Sequence, residues 1–138
     1  MLAILDINTG YQILGFLHIV AAVVAFGPLF IYPSMQRAGA GAEVARLHMR
    51  MSFPGLVLVG LLGGALVGAS DEVIEMSEAW VTLALLGWVA LVAVSWFLIR
   101  PSIGDSSESA RSKLAAGIGS THLLVVVLVY LMVFKPGR

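Results

Sequence analysis

The stretch Leu17–Pro33, LHIVAAVVAFGPLFIYP, decides the fold because it is almost wholly apolar and yet carries a histidine, His18. It belongs to an uncharged window, Ile7–Gln36, that is long enough for a helix to cross a hydrocarbon core of about 30 Å. An ionisable group is costly in lipid, so the imidazole is expected to face a protein interior. The stretch therefore predicts a membrane helix with a histidine turned inward.

Three further uncharged windows follow, and the sixteen charged residues of the 138-residue chain all lie outside the four windows. The chain is 59% hydrophobic and 12% charged, about half the charged fraction of a soluble domain, and its mean hydropathy is +0.99. We therefore expect a single all-α domain over residues 1–138, an integral membrane four-helix up-and-down bundle. Its spans are expected at about residues 11–33, 53–70, 79–99 and 115–134.

The basic residues predict the orientation of this bundle. Because cytoplasmic loops carry an excess of Lys and Arg, the first and third connectors are expected in the cytoplasm. Both termini are then outside the cytoplasm, and the protein lies in the cell (inner) membrane. Six of the eight bases lie on the cytoplasmic side, Arg37, Arg46, Arg50, Arg100, Arg111 and Lys113, and two lie on the other, Lys135 and Arg138.

The composition excludes several classes of function. Without cysteine the chain has no disulfide, thiolate metal site or cysteine nucleophile, and its formal net charge of zero gives no reason to expect a nucleic-acid partner. The predicted spans contain no carboxylate, lysine or arginine, so an acid–base pair inside the membrane would have to use histidine. The first ten residues contain no base and are not expected to be a cleaved signal peptide. The expected partner is the lipid bilayer.

The first span has one face of mostly small residues at heptad-like spacing. Small residues are typical where a neighbouring helix approaches closely, so this face is expected to point into the protein. Gly27 and Pro28 predict a kink one turn before the end of the span, and Pro33 is expected to help to stop the helix. The members of the face are Tyr11, Gly15, His18, Ala22, Ala25 and Leu29.

The second span contains a ridge of glycines, Gly60, Gly64 and Gly68, with Gly63 beside it. Such spacing lets two helix backbones approach closely. Two interpretations stay open: packing within the chain, or the interface of a homo-oligomer or of a larger membrane complex.

The second connector, Asp71–Glu78, holds four carboxylates and no base. It is expected to be a solvated face, with Ca²⁺ binding as the alternative, although it lacks the ligand-and-glycine pattern of a dedicated calcium loop. In the third span that follows, Trp80 and Trp96 lie near opposite ends, where interfacial anchors are expected. Trp88 lies mid-span, where packing is expected.

Three histidines are the candidates for chemistry. His48 lies in the basic first connector and is expected to be solvated or to contact lipid headgroups. His18 and His122 lie within spans, roughly 8 Å apart along the membrane normal, so both could line one cavity. For each of these two, the alternatives are a hydrogen-bonded structural role and a role as a ligand of haem, porphyrin or metal. Proton handling is a further alternative for His18.

Several short motifs are spread over most of the chain, namely His18, Leu29-Phe30, Pro33, Arg46-Leu47, Pro54, Gly63 and Phe134-Lys135-Pro136. Together they resemble the HemJ-type four-helix membrane proteins, which are protoporphyrinogen oxidases associated with haem synthesis. They are also similar to the related copper-resistance D (CopD) domain, and to a family of uncharacterised integral membrane proteins with the same span pattern.

The sequence departs from the HemJ pattern at several positions. Ala25 and Ser34 stand where those proteins have tryptophan and arginine, and the stretch Trp80–Ala84 lacks their lysine. The stretch Ser120–His122 stands where they have an Asn-Glu-Pro sequence. The resemblance therefore implies the four-helix architecture and a haem or porphyrin ligand at His18, and it does not imply the oxidase activity.

The leading hypothesis is a small membrane protein that binds haem or porphyrin in a redox role. His18 is its ligand, and His122 is a second ligand or a polar group of the cavity, since helix bundles build cofactor sites from facing helices. The alternative is a non-catalytic accessory subunit of a larger respiratory or photosynthetic complex, or a homo-oligomer, assembled through the glycine ridge. Metal-ion transport ranks last because the spans lack the ligand sets that such paths use.

Overall fold

The computed structural model describes residues 7–138, and this part of the chain is helical and without strands. The prediction of an all-α fold with four long helices is confirmed. Residues 1–6, and with them most of the segment considered as a signal peptide, lie outside the described part. Four helical units are each long and apolar enough to cross a membrane: Thr9–Arg37, Gly41–Gly68, Ala79–Ser102 and Glu108–Phe134.

Two prolines divide the first unit into three pieces. Helix α1 (Ile7–Phe26) is followed by a 3₁₀ turn (Gly27–Phe30) and then by the short helix α2 (Tyr32–Arg37). Pro28 lies in the first turn of the 3₁₀ segment and, because it has no N–H, interrupts the α-helical hydrogen bonds as predicted. Pro33 lies in the first turn of α2, where a helix needs no N–H donor, so it begins a helix instead of ending one.

The second unit begins well before residue 53, where its span was expected to start. It comprises α3 (Gly41–Leu47), a π-helical turn (His48–Ser52) and α4 (Phe53–Gly68). The basic first connector is therefore largely helical, and the 28 residues of the unit extend over about 42 Å. Since this exceeds a hydrocarbon core of about 30 Å, the helix has to tilt in a membrane or protrude from it.

The third unit repeats this design, and the fourth is one uninterrupted helix. The third consists of α5 (Ala79–Ala93), a π-helical turn (Val94–Ile99) and a 3₁₀ turn (Arg100–Ser102). The fourth is α6 (Glu108–Phe134), which starts earlier than the span expected from residue 115. Ser107 caps α6, because its hydroxyl accepts a backbone N–H three residues further on.

Close contact between α1 and α4 forms the centre of the bundle. A Cβ added at Gly55 would lie 3.1 Å from the backbone nitrogen of Ala25 and 3.4 Å from the carbonyl oxygen of Ala21, so glycine allows the two helices to approach this closely. Ala25 and Leu29 are buried, which confirms that this face of the first span is turned inward. The core continues through apolar side chains of α5 and α6.

The two terminal tryptophans of the third unit each lie beside a cation. The Nζ atom of Lys135 is 5.5 Å from the centroid of the Trp80 ring, and Cζ of Arg100 is 4.0 Å from that of Trp96. An indole next to a cation at both ends of a long apolar helix is the arrangement that membrane–water interfaces favour.

Candidate functional site

His18 packs its imidazole against α4, as predicted for an inward-facing histidine. Its Cε1 atom lies 3.2 Å from the position that a Cβ at Gly63 would take, so this glycine makes room for the ring. The residue is half-buried, and its buried Nδ1 atom makes no hydrogen bond of good geometry in the described part of the chain, although the ring interacts with the backbone of Val59 on α4. A buried polar atom left unpaired costs about 1–3 kcal/mol, so a ligand that reached this nitrogen would remove that cost.

Open space lies on α1 one turn before His18. At Gly15, on the same face, no atom of the described residues lies within 4 Å of the position that a Cβ would occupy. The neighbouring side chains Phe16 and Ile19 are exposed, so α1 presents an apolar surface next to the ring. A nitrogen donor, a gap and an apolar wall are the features that a flat, largely apolar ligand needs.

His122 has different surroundings on α6. Its ring stacks on that of Phe30, with the centroids 4.4 Å apart and the planes 15° from parallel. Its Nε2 atom is buried and, among residues 7–138, has no hydrogen-bond partner. The stacked ring and the unpaired nitrogen show that His122 is held by packing rather than by hydrogen bonds to Nε2.

The structure does not bring the two predicted site histidines together. Phe30, which contacts His122, comes twelve residues after His18 in the same helical unit, which corresponds to a separation on the order of 18 Å. Two axial ligands of one haem iron have to lie on opposite faces of the same ring, and this separation does not allow it. His18 and His122 are therefore two separate places in the bundle.

The expectation that His48 lies at the surface is wrong, because this residue is 1% exposed and lies inside the bundle. Its Nδ1 is 3.2 Å from the hydroxyl oxygen of Tyr32, and its Nε2 is 3.0 Å from that of Ser95. The Tyr32 hydroxyl donates in turn to the hydroxyl of Ser52 at 2.7 Å. Each of these four side chains is at most 4% exposed, and we call them the His48 cluster.

The hydrogen bonds of the His48 cluster run in one direction. Because Tyr32 has a single hydroxyl proton and gives it to Ser52, its oxygen accepts from the Nδ1–H of His48. In a neutral imidazole the other nitrogen is then an acceptor, so Nε2 receives the hydroxyl proton of Ser95. The chain of hydrogen bonds joins three helical units and gives both nitrogens of His48 a partner.

Two prolines explain why His48 and Ser95 meet. In each π-helical turn, the backbone N–H donates to the carbonyl five residues earlier, and the accepting residues are His48 and Ser95. Pro54 lies six residues after His48, and Pro101 lies six residues after Ser95. Each proline lacks the N–H that would donate the next helical hydrogen bond, and its ring crowds the carbonyl of the residue four positions before it. A polar residue six positions before a proline, present in two spans, is a sequence signal that could have singled out His48 and Ser95 but not their pairing, since π-helical turns frequently lie at functional sites.

Within the glycine ridge, the structure gives a packing role to Gly60. A Cβ added at Gly60 would lie 2.0 Å from the indole of Trp88, so this glycine serves packing within the chain. The same indole donates to the carbonyl of Leu56 at 2.8 Å, which confirms that Trp88 packs inside the bundle. Gly64 and Gly68 are exposed, and no atom of the residues that the structure describes lies within 4 Å of a Cβ position at either.

The acidic second connector is tied to its own backbone and to the C-terminus. The Glu78 carboxylate accepts the backbone N–H of Glu75 at 3.0 Å and the indole N–H of Trp80 at 2.6 Å, and these two bonds, the first above all, lower its pKa. Arg138 lies 3.7 Å from the same carboxylate and donates to the carbonyl of Val73. Within the described range, no three His, Cys, Asp or Glu side chains are grouped to hold a metal ion.

The three histidines thus occupy three settings. Among residues 7–138, His18 has no hydrogen-bond partner of good geometry at Nδ1 and His122 has none at Nε2, whereas His48 has a partner at both nitrogens. No family model, curated protein or solved structure matches the chain. What the protein does is therefore inferred from these settings.

Proposed function

We propose that the chain is an integral protein of the cell (inner) membrane, with four spans and both termini outside the cytoplasm. Four apolar helical units of 24 to 29 residues support the crossing. Six basic residues on the side of the first and third connectors, against two on the other side, support the orientation. A reporter enzyme that is active only outside the cytoplasm is fused to the C-terminus. Activity is expected, and its absence would reverse the orientation.

Within this membrane protein we propose a haem- or porphyrin-binding role in which His18 is the ligand. The observation that carries it is the inward-facing imidazole of His18, whose Nδ1 makes no hydrogen bond of good geometry among the described residues and which lies one turn from the open space at Gly15. Imidazole nitrogen is a common protein ligand of haem iron, and an iron would be the partner that this atom lacks. The resemblance of the motifs around His18 to HemJ-type and CopD-like proteins supports the same role.

Few residues would hold such a group. His18 would supply a nitrogen ligand, Gly63 gives its ring a place against α4, and Gly15 leaves room one turn away. His122 is too far away to be a second ligand, so a bound haem would have a single ligand of this kind. When bound, haem supplies one-electron redox chemistry.

A haem titration of the protein in mild detergent, followed by visible absorbance, tests this role. A Soret band typical of histidine ligation is expected for the wild type and for the control variant His122→Ala, and its loss is expected for His18→Ala. Gly15→Leu is expected to weaken binding by about tenfold or more, because its side chain would fill the space beside the ring. Equal binding by the wild type and by His18→Ala would contradict the role.

A second candidate function is that of an accessory subunit of a larger respiratory or photosynthetic complex, or of a homo-oligomer. The observation that favours it is the pair Gly64 and Gly68, one turn apart, exposed and with open space over both. Exposed small residues at this spacing let another helix approach closely. An assembled partner would cover this part of α4.

Native gel electrophoresis and chemical cross-linking of membranes test the second candidate. Gly64→Leu is expected to release the protein from its assembly, because the added side chain would hold a neighbouring helix away. The matched control is Gly119→Leu, which adds the same side chain over an open and exposed glycine of α6. An assembly that survives Gly64→Leu unchanged would remove this candidate.

A further inference from the structure

A cleft of about 530 Å³ lies where the first and third connectors meet. Its walls come from the end of α2, the turn before α3, the loop that leads into α6 and the first turn of α6. The two connectors are the ones that carry most of the basic residues. The cleft therefore lies in the most basic part of the molecule.

Glycines bring the two connectors together at this cleft. A Cβ added at Gly41 would lie 3.1 Å from Cα of Gly104 and 2.9 Å from the side-chain oxygen of Gln36, so the connectors touch where one of them has no side chain. Gly104 has a φ of +80°, a left-handed conformation that other residues rarely adopt. This contact fixes the spacing of the connectors and leaves the cleft between them.

Two guanidinium groups line the cleft without an ion-pair partner. In the described part of the chain, the one ion pair lies in the second connector, so neither Arg37 nor Arg111 is neutralised by a carboxylate. Asp105 is the carboxylate of the lining, and its Oδ1 accepts the backbone N–H of Ser107 at 2.8 Å. The side chains of the lining therefore carry a formal charge of +1, from two arginines and one aspartate.

We propose that this cleft binds a phosphate-bearing anion, which is the headgroup of an acidic phospholipid or a soluble phosphate monoester. Guanidinium groups match the oxygens of a phosphate in pairs, and the side chains of Gln36 and Ser106 in the same lining add hydrogen-bond donors. An acidic headgroup reaches the cleft from the cytoplasmic leaflet, whose surface is negatively charged, and a soluble anion reaches it from the cytoplasm. The cleft lies at the end of the first helical unit that is far from His18. The binding of an anion in the cleft is therefore independent of the binding of haem at His18.

Two titrations of the full chain in detergent test this site. Phosphatidylglycerol is added in one, with phosphatidylcholine as the control lipid, and bound lipid is counted by native mass spectrometry. Glycerol phosphate is added in the other, and binding is measured by calorimetry. The test variant carries Arg37→Gln and Arg111→Gln. The matched control carries Arg46→Gln and Arg50→Gln, which remove the same charge from exposed arginines outside the cleft.

Binding of either probe is expected to weaken by about tenfold or more in the test variant and by less than about twofold in the control, since charge-assisted hydrogen bonds are lost only in the former. A difference between the variants in the phosphatidylglycerol titration identifies a lipid headgroup as the ligand, and a difference in the glycerol phosphate titration identifies a soluble phosphate monoester. Equal weakening in both variants, or no binding of either probe, would overturn the site. If the test variant does not fold, Arg111→Lys against Arg50→Lys gives the same comparison, because lysine keeps the charge and loses the paired donors.

Discussion

The hydroxyl of Tyr32 is the group on which the burial of His48 depends most. Its oxygen accepts from the Nδ1–H of His48, and its proton goes to Ser52, so one atom joins two other buried polar groups. The side chain is fully buried and no water competes for these bonds. Removal of this oxygen would leave a donor and a hydroxyl without their partner inside an apolar core.

Tyr32→Phe is expected to lower the free energy of unfolding by about 1–3 kcal/mol, because the ring still fills its place while His48 and Ser52 lose their partner. The matched control is Tyr130→Phe at a residue that is 52% exposed, and it is expected to change this energy by less than about 0.5 kcal/mol. Denaturant unfolding of both variants in the same detergent is the measurement. Equal stability of the two variants would show that the His48 cluster does not stabilise the fold.

The residues of the candidate site were predictable only in part. The inward orientation of His18 followed from the cost of an imidazole in lipid, which depends on nothing outside the span. His48 was assigned to the surface because arginines flank it in sequence, and hydropathy carries no sign of the π-helical turn that points it inward. The partners Tyr32 and Ser95 lie on other helical units, so the pairing depends on packing that no local pattern encodes.

At the scale of the helices, the long apolar segments were predictable and their ends were not. A window of about 20 uncharged residues is enough to predict a membrane helix, whatever its neighbours are. The extension α3 and the first turns of α6 contain charged residues such as Glu43, Arg46 and Glu108, so a hydropathy window stops before them although the backbone remains helical. Pro33 was expected to end a helix, because sequence alone does not tell a last turn from a first one.

Gly60→Ala is expected to destabilise the contact of α4 with α5 although alanine favours helices more than glycine does. The new methyl group would lie 2.0 Å from the Trp88 ring, so the indole has to move and lose its bond to the Leu56 carbonyl. We expect a loss of about 1–3 kcal/mol in the free energy of unfolding and a shift in tryptophan fluorescence.

The control for this substitution lies one turn further along the same helix. Gly64→Ala adds the same methyl group where no atom lies within 4 Å. It is expected to leave the stability unchanged or to raise it by up to about 1 kcal/mol, because alanine has the higher helix propensity. A stability loss of the same size in both variants would show that the packing of the Trp88 indole does not require a glycine at position 60.

Pro54→Ala is expected to lower the stability through the His48 cluster. An alanine N–H restores the α-helical bond that the proline removes, so the π-helical turn relaxes and the His48 ring turns away from Ser95. The expected cost is about 1 kcal/mol, the usual contribution of one hydrogen bond. A double-mutant cycle with Ser95→Ala measures it, since the two substitutions are expected to be strongly non-additive. Additive effects of the two substitutions would show that Pro54 does not act on stability through the His48 cluster.

At the scale of the whole molecule, the two ends of the bundle are closed by different chemistry. At one end, Arg138 joins the C-terminus to the second connector through Glu78 and Val73. At the other end, Gly41 and Gly104 bring the first and third connectors into contact. The first closure contains an ion pair, whereas the second is a contact between glycines, so the first is expected to respond directly to pH.

The melting temperature is expected to show this response through Glu78. The pKa of its carboxyl is lowered from 4.5, first by the Glu75 N–H and then by the Trp80 indole, so the folded state favours the ionised form. Its contribution to stability is therefore full above the unfolded-state pKa and is lost as the pH falls through the lower folded-state pKa. At neutral pH the melting temperature of the wild type is expected to be slightly higher than that of Glu78→Gln. In strong acid the two melting temperatures are expected to be equal. A difference that does not change with pH would contradict this.

The touching side chains of His48 and Ser95 place the two π-helical turns at one level of the bundle. An α-helix is stiff because hydrogen bonds connect each turn to the next. In the second and third units, the π-helical turns interrupt the regular α-helical hydrogen bonds at the same level of the bundle. We therefore expect bending of these two units to be easiest at this level. In a membrane, a thinner bilayer would increase the tilt of the 28-residue unit, and we expect the resulting bending beside the His48 imidazole, whose two hydrogen bonds join the first and third units to the second.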